Sequence, residues 1–284
     1  YLVNALINMN YEKITIVKKI AKNSLDLQYS DFIFECMDEV VNQAAKMRYM
    51  SGGKLKVPLV LRCPVGTANR GAQHGQSPES YFIHVPGLKV VCPSDAYVAK
   101  GIIKSAVRDD DPVIVFEHKL LYGSKGRESA GGMDLTAEVP EEEYLFPIGK
   151  ALKKREGNSL TIIATHLTLY RCLAAAEELK LEGIESEIID PVSLLPLDTK
   201  TIYESVNKTG KALIAHEDTF TGGWGAEVAA LISQNCFNKL KAPVQRIAAY
   251  DVPLPVTPIL EQSVVPSIER IKDKIRQLHK LELR

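Results

Sequence analysis

The sequence predicts an α/β protein with two doubly wound domains, each built on a parallel sheet. Two observations predict this fold class: short β-branched runs alternate with segments of helical period, and the alternation occurs in both halves of the chain. The predicted strands are 58–61, 89–93 and 112–117 in the first half, and 159–165, 186–191, 212–217 and 244–248 in the second. Helices are predicted at 34–50, 96–107 and 168–181, and a last helix carries Ile268, Ile271, Ile275 and Leu278 on one face.

A break in composition separates the two halves. Residues 123–144 show no hydrophobic period and contain paired glycines and a run of glutamates, which is typical of a connection between domains. We therefore expect one domain at residues 1–145 and a second at residues 146–284.

Composition and missing motifs exclude several classes of protein. The 284 residues are 45% hydrophobic, enough for two cores without disulfides or a structural metal. Lys and Arg together number 35, as do Asp and Glu, so we expect neither a nucleic-acid partner nor a membrane partner. The five cysteines contain no CxxC pair and are predicted to be reduced thiols. The sequence contains no dinucleotide-binding, P-loop, zincin or hydrolase motif.

The segment 56–76 passes from an apolar strand into a loop rich in glycine, arginine and asparagine that carries His74. Glycines let a backbone approach a ligand closely, and ligands of open α/β sheets bind beyond the carboxyl ends of the strands, where this loop would lie. Imidazole is the side chain whose ordinary pKa allows proton exchange near neutrality. The residues alone fit a functional His74 and a merely solvated one equally well.

Four stretches, in order along the chain, carry a family resemblance. They read YMSGGKLKVPLVLRCPVG, GAQHGQS, HVPGLKVVCPSD and KSAVRDDDPVIVFEHKLLYG. From Gln28 to the C terminus the chain resembles the β subunit of the E1 component of 2-oxo acid dehydrogenase complexes of the pyruvate, acetoin and branched-chain types. The resemblance implies a pyrimidine-binding domain of thiamine enzymes followed by a transketolase C-terminal-like domain. The alternative is a protein of the transketolase or deoxyxylulose phosphate synthase type, but the sequences VPGLKVV and FEHKLLYG favour the dehydrogenase.

The resemblance implies an activity, cofactors and partners. The activity is oxidative decarboxylation of a 2-oxo acid, with pyruvate preferred over branched-chain acids or acetoin, and transfer of the acyl unit to a lipoyl-bearing E2. The cofactor is thiamine diphosphate, whose magnesium is held by a separate E1 α subunit, since the Gly-Asp-Gly motif for it is absent here. We expect an α2β2 heterotetramer in bacterial cytoplasm, with a mitochondrial or plastid matrix as the alternative.

Site residues are carried over from the family position by position. His74 matches the histidine near the reactive carbon of the cofactor, and Gln28, Tyr29 and Phe32 match positions that pack on its pyrimidine. Gln28 departs from the apolar residue often found there. Without the resemblance, core packing is the better interpretation of the two aromatic residues.

A monovalent cation, K⁺, is the other ligand that the resemblance implies. The family holds it largely by backbone carbonyls, which suit a hard cation. The matching positions are Leu59, Ala106, Val107, Asp109 and Asp111. From spacing alone, the acidic turn at 109–111 is more simply a solvated connector.

Two further points follow from the sequence. The family has a segment before Gln28 with a Ser-Glu motif whose glutamate bonds the aminopyrimidine, and the sequence lacks it. Either a segment lies outside the sequence, which we favour, or the chain lacks its catalytic carboxylate and is a non-catalytic assembly subunit. Farther on, His216 and Glu217 precede a Gly-Gly-Trp-Gly turn; a helix start can bind anions, but we favour a simple turn with Trp224 as an exposed or interfacial anchor.

Overall fold

The computed structural model describes residues 37–123 and 133–282, which form two sheets flanked by helices. The first sheet has four strands in the order β1-β3-β2-β7 and the second has five in the order β4-β6-β5-β8-β9. The predicted α/β class is confirmed. The strands that were predicted pair in parallel, and β7 and β4 each add one antiparallel strand at the edge of a sheet.

The first sheet is built from the predicted strands with slightly shifted ends. A helical segment α1, Asp38–Ala44 continuing as Ala45–Met50, precedes β1. The strands are β1 (Val60–Val65), β2 (Lys89–Val91) and β3 (Val113–His118), and the helices are α2 (Gly71–His74), α3 (Glu79–Ile83) and α4 (Ala96–Arg108). All six residues of the central strand β3 are buried, which explains the apolar run Val113–Phe116 that begins it.

The second sheet contains all four predicted strands and one that was not predicted. Its strands are β4 (Leu152–Arg155), β5 (Leu160–Ala164), β6 (Ser186–Asp190), β8 (Ala212–Thr219) and β9 (Gln245–Ala249). Its helices are α5 (His166–Lys180), α6 (Thr199–Thr209), α7 (Gly225–Asn235), α8 (Pro258–Val264) and α9 (Ile268–Lys280). Helix α9 buries Ile271, Ile275 and Leu278, as their spacing predicts. None of the described helices is long and apolar enough to cross a bilayer.

One strand from the second half of the chain belongs to the first sheet. After β6, the chain forms β7 (Ser193–Leu195), which pairs antiparallel with β2. Buried side chains of both halves also form one core: Val90 and Phe116 of the first sheet belong to the same apolar cluster as Ile163 and Ile189 of the second. The division at residues 145 and 146 therefore stays a proposal.

Candidate active site

The carboxyl ends of β1 and β3 meet at one edge of the first sheet. The two strands run parallel, with Val65 opposite His118, so Gly66 at the end of β1 lies beside the imidazole of His118. The loop that leaves β1 returns to it, because the Gly66 amide donates a hydrogen bond of 2.9 Å to the carbonyl of Gln76. The side chain of His74, at the end of α2, is exposed on this loop.

Lys119 holds the His74 loop from the end of β3. Its ammonium donates to the carbonyl oxygens of Gly66, at 3.0 Å, and of His74, at 2.5 Å. Partial burial lowers the pKa of Lys119, although Glu217 and Glu261 act in the opposite direction. The backbone next to the imidazole is therefore held by a side chain that the sequence did not single out.

A buried carboxylate, Glu217 near the end of β8, joins the first sheet to the second. It accepts hydrogen bonds from the amide and hydroxyl of Thr67, both at 3.1 Å for Oε2, and lies 3.0 Å from Nε2 of His118. On its other side, Arg171 of α5 donates to Oε1 at 3.1 Å. Only 5% of the Glu217 side chain is exposed. We refer to Glu217 with Thr67, His118 and Arg171 as the Glu217 network.

The charges of the network decide the protonation of Glu217. Burial alone would raise the pKa of this carboxyl, but the neighbouring imidazole of His118, which donates a hydrogen bond to it, and the guanidinium of Arg171 hold the pKa well below its ordinary value of 4.5. The Nδ1 atom of His118 accepts a hydrogen bond from the Leu120 amide, which leaves Nε2 to donate to Glu217. Glu217 is therefore a carboxylate in the folded protein.

The low pKa of Glu217 predicts a pH-dependent contribution to stability. A group whose pKa falls on folding stabilises the native state above its unfolded pKa, here about 4.5, and loses that contribution as the pH drops. We expect the free energy of unfolding of Glu217→Gln to be lower than that of wild type at neutral pH, and the difference to shrink only as the pH falls below about 4.5. Urea unfolding of both proteins over this range measures the difference. A difference that does not change with pH would contradict the assignment.

A cleft of about 630 Å³ lies beside the His74 loop. One side is formed by the residues that follow α2, and the other by the end of β8 and the loop after β9. Its lining includes Gln76, Tyr81, Thr219, Val252 and Leu254. A larger cleft of about 720 Å³, lined by Arg246, Arg270 and Lys274, does not include any residue of the His74 loop. The smaller cleft is therefore the one that adjoins the candidate site.

Two family models and several curated relatives match the sequence of this chain. The family model "Transketolase, pyrimidine binding domain" matches residues 21–125, and "Transketolase, C-terminal domain" matches residues 149–271. The chain is 40% identical over 255 residues to the 2-oxoisovalerate dehydrogenase subunit beta of Bacillus subtilis, covering 89% of this chain and 75% of the relative. The chain belongs to the E1 β subunits of 2-oxo acid dehydrogenases.

Other members of the E1 β family match almost as well. An acetoin:2,6-dichlorophenolindophenol oxidoreductase subunit beta of Bacillus subtilis is 42% identical, with 87% of this chain and 69% of the relative covered. A mitochondrial pyruvate dehydrogenase E1 component subunit beta-1 of rice, Oryza sativa, is also 42% identical, with 85% and 63% covered. A solved split-gene transketolase, described as an inactive beta4 tetramer, shares the fold with a TM-score of 0.68 at 22% identity, over 88% of this chain and 73% of that chain.

The predicted pyrimidine contacts of this E1 β chain stay predictions. Gln28, Tyr29 and Phe32 lie outside the described residues, although the matched pyrimidine-binding segment includes them. His74 is the one predicted cofactor or catalytic residue within the described part of the chain, and it lies at the sheet edge that the sequence predicts.

The predicted cation positions come together in one corner of the first sheet. The carbonyl of Leu59 accepts a hydrogen bond from the Val113 amide, and the carbonyl of Ala106 accepts one from the Asp109 amide. The Asp109 carboxylate receives the ammonium of Lys89 at 2.7 Å, and Asp111 pairs with Arg48 at 3.0 Å. The acidic turn is thus part of an ion-pair network and not only a solvated connector. Binding of K⁺ by Leu59, Ala106, Val107, Asp109 and Asp111 stays a prediction.

The turn at Trp224 differs from the sequence-based interpretation. Trp224 is only 2% exposed, and its ring lies 4.9 Å from that of His216, so the prediction of an exposed anchor was wrong. Burial lowers the pKa of His216 to about 3 and keeps its imidazole neutral. Trp224 and His216 therefore belong to the core packed against β8. The residue of this strand that faces the candidate site is the next one, Glu217.

Proposed function

We propose that the chain is the β half of an active E1 component. With an E1 α subunit, as an α2β2 assembly, it would catalyse thiamine diphosphate-dependent oxidative decarboxylation of a 2-oxo acid and transfer the acyl unit to lipoyl-E2. The observation that carries the proposal is the exposed His74 at the carboxyl ends of β1 and β3, inside the matched pyrimidine-binding segment.

The described residues fit the half of a cofactor site that a second subunit completes. Thiamine diphosphate supplies an electron-accepting ring for the decarboxylation. Its pyrimidine would be held by Gln28, Tyr29 and Phe32, and its magnesium by the α subunit. The fit rests on the geometry around His74: Gly66 and Lys119 fix the loop backbone, His74 is exposed, and the cleft adjoins the same loop at Ala72 and Gln76.

His74 would act by holding or moving a proton at the reacting carbonyl oxygen. Imidazole is suited to this because its Nε2 and Nδ1 atoms can donate or accept. The hydrogen bond from Lys119 to the His74 carbonyl fixes the backbone of that residue. Precise backbone placement matters because a proton transfer requires the two heavy atoms to be within hydrogen-bond reach.

We propose pyruvate as the substrate and bacterial cytoplasm as the location. Relatives named for 2-oxoisovalerate match this chain at 40–45% identity, and relatives named for acetoin or pyruvate match it at 39–42%, so identity does not single out pyruvate. They include bacterial and mitochondrial proteins. Initial rates of the α-reconstituted protein with pyruvate, 2-oxoisovalerate and acetoin test the choice. A higher kcat/KM for either of the other two compounds would overturn it.

Replacing His74 tests the catalytic role. We expect His74→Ala, reconstituted with the α subunit, to assemble normally but to transfer acyl groups to lipoyl-E2 about 10²–10⁴-fold more slowly. Assembly should survive because the side chain is exposed and the contact that holds the loop is made by the backbone. The measurements are size-exclusion chromatography of the complex and single-turnover acyl transfer.

A matched control shows whether an effect of His74→Ala is specific to the candidate site or follows from the loss of any exposed imidazole. His84 is also exposed and follows α3 in the same half of the chain, so His84→Ala removes an imidazole away from the sheet edge. We expect this variant to transfer acyl groups at the wild-type rate. Wild-type transfer by His74→Ala would remove His74 from the mechanism.

The alternative function is a non-catalytic assembly subunit that pairs with an α chain. The two proposals differ in one measurement: release of carbon dioxide from the 2-oxo acid by the mixed α and β chains, with a dye as electron acceptor. Decarboxylation excludes the assembly role, and assembly without decarboxylation excludes the enzyme.

A further inference from the structure

Three side chains of metal-binding type meet in the interior between the two sheets. They are Glu79, at the start of α3; Cys92, directly after β2; and His166, at the start of α5. One donor atom from each lies within 4.8 Å of the other two. All three residues are buried, with exposures of 2%, 0% and 4%. We call them the Glu-Cys-His group; they form no part of the proposed mechanism.

The imidazole of His166 is oriented for a ligand. Its Nε2 lies 3.0 Å from the carbonyl of Phe116, and because a carbonyl only accepts, Nε2 carries the proton. Nδ1 is then a bare lone pair, and it lies 3.6 Å from Oε1 of Glu79. Metal-binding histidines have this arrangement, with the second nitrogen donating to a carbonyl or carboxylate.

The carboxylate of Glu79 provides a second, independent observation. Its Oε2 is fully buried and has no hydrogen-bond partner among the described residues. An unpartnered buried oxygen costs free energy that a cation would recover. With Oε1 close to His166 and Oε2 unpartnered, Glu79 could bind an ion through one oxygen or through both.

We propose that Glu79, Cys92 and His166 bind one zinc ion. Thiolate, imidazole and carboxylate are the three ligand types of zinc, and donors 2.0–2.3 Å from a tetrahedral ion lie about 3.3–3.8 Å apart. The group needs to contract by only about 1 Å to reach that geometry. A water molecule or the second oxygen of Glu79 completes the four positions.

The charges of the ligands agree with a divalent ion. A Glu79 carboxylate and a Cys92 thiolate together carry two negative charges, which one Zn²⁺ ion neutralises, and neutral His166 adds none. The other charged or titratable groups that face these residues are Asp190, Asp218, Glu217, Lys119 and His118.

The ion would connect three elements. Glu79 follows the His74 loop, Cys92 lies where β2 ends, and His166 begins a helix of the second half. Zinc at this point would cross-link the two sheets and stabilise the folded chain, because a ligand that binds only the native state raises its stability. This inference does not depend on the proposed enzymatic activity.

The test uses the full chain, without an affinity tag, produced in cells supplied with Zn²⁺ or Co²⁺ so that the ion is present during folding. We expect one ion per chain by mass spectrometry of the metal, and a thiolate-to-cobalt charge-transfer band in the near ultraviolet for the Co²⁺ form. Both should be lost in Cys92→Ala, with an affinity more than about 100-fold lower. Retention of no ion by the wild type would overturn the proposal, as would a Co²⁺ spectrum without the thiolate band.

Two further variants keep the test decisive. His166 has a φ of +54°, a conformation that glycine adopts readily, so His166→Gly removes the ligand while suiting the backbone, and it should also abolish binding. Cys172 is a buried thiol in the same helix but outside the group, and Cys172→Ala should keep the ion and the band. Undiminished metal content in folded His166→Gly would also overturn the proposal.

Discussion

Glu217→Ala is expected to destabilise the folded protein by about 3–5 kcal/mol, the cost of removing one partner from a buried ion pair. The substitution leaves the guanidinium of Arg171, which is 7% exposed, without its carboxylate partner. It also removes the acceptor for the amide of Thr67, the residue that follows Gly66 on the His74 loop. Chemical denaturation at neutral pH measures the loss.

An exposed ion pair provides the control for Glu217. Glu182 binds Arg276 through both oxygens, but at the surface, where such pairs contribute little. Glu182→Ala should therefore unfold close to the wild type. Equal destabilisation by the two substitutions would show that the Glu217 network does not join the sheets. If Glu217→Ala displaces the His74 loop without unfolding the protein, the variant will transfer acyl groups slowly at a temperature at which it is still folded.

Gly66→Ala is the second substitution with a large expected effect, about 2–4 kcal/mol from backbone strain and overpacking together. Gly66 has a φ of +83°, and a Cβ there would lie 2.2 Å from Nε2 of His118. The imidazole cannot easily move away, because Glu217 holds one nitrogen and the Leu120 amide the other. We also expect the displaced loop to lower acyl transfer by the reconstituted complex.

Gly183 separates the two causes. It has a similar φ of +78°, but a Cβ there meets no atom within 4 Å. Gly183→Ala should therefore cost only the backbone strain, about 1–2 kcal/mol. Thermal unfolding of both variants gives the difference between the two costs, which is the contribution of the contact with His118. Equal losses would mean that His118 yields to the new methyl group.

The periodic elements were predictable from the sequence, and the irregular ones were not. Helix α9 was predicted because its buried residues recur every three or four positions, and strand β3 was predicted because most of its residues form one apolar run. Strand β4 was not predicted because its sequence is Leu-Lys-Lys-Arg, and β7 was not predicted because a strand of three residues is too short to show a period. Both are edge strands, and neither has the long apolar run that marks a central strand such as β3.

In the candidate site, too, some residues were predictable from the sequence and others were not. His74 was predictable because a short segment holds the strand, the glycines and the imidazole together. Glu217 was not, because its partners Thr67, His118 and Arg171 are 46 to 150 residues away, and a single sequence does not show which distant charges meet. The buried Trp224 shows the opposite error: a Gly-rich neighbourhood predicts exposure, but His216 on the adjacent strand covers the ring.

The pairing of β7 with β2 has a consequence for biosynthesis. On the ribosome, one edge of β2 is without its neighbour until β7 emerges, roughly a hundred residues later. During that interval the nascent chain has an open strand edge, which is the kind of surface that pairs with other chains. The first sheet is therefore completed only after translation has passed into the second half of the chain, as far as Leu195, and a release of the chain before Ser193 would leave an aggregation-prone fragment.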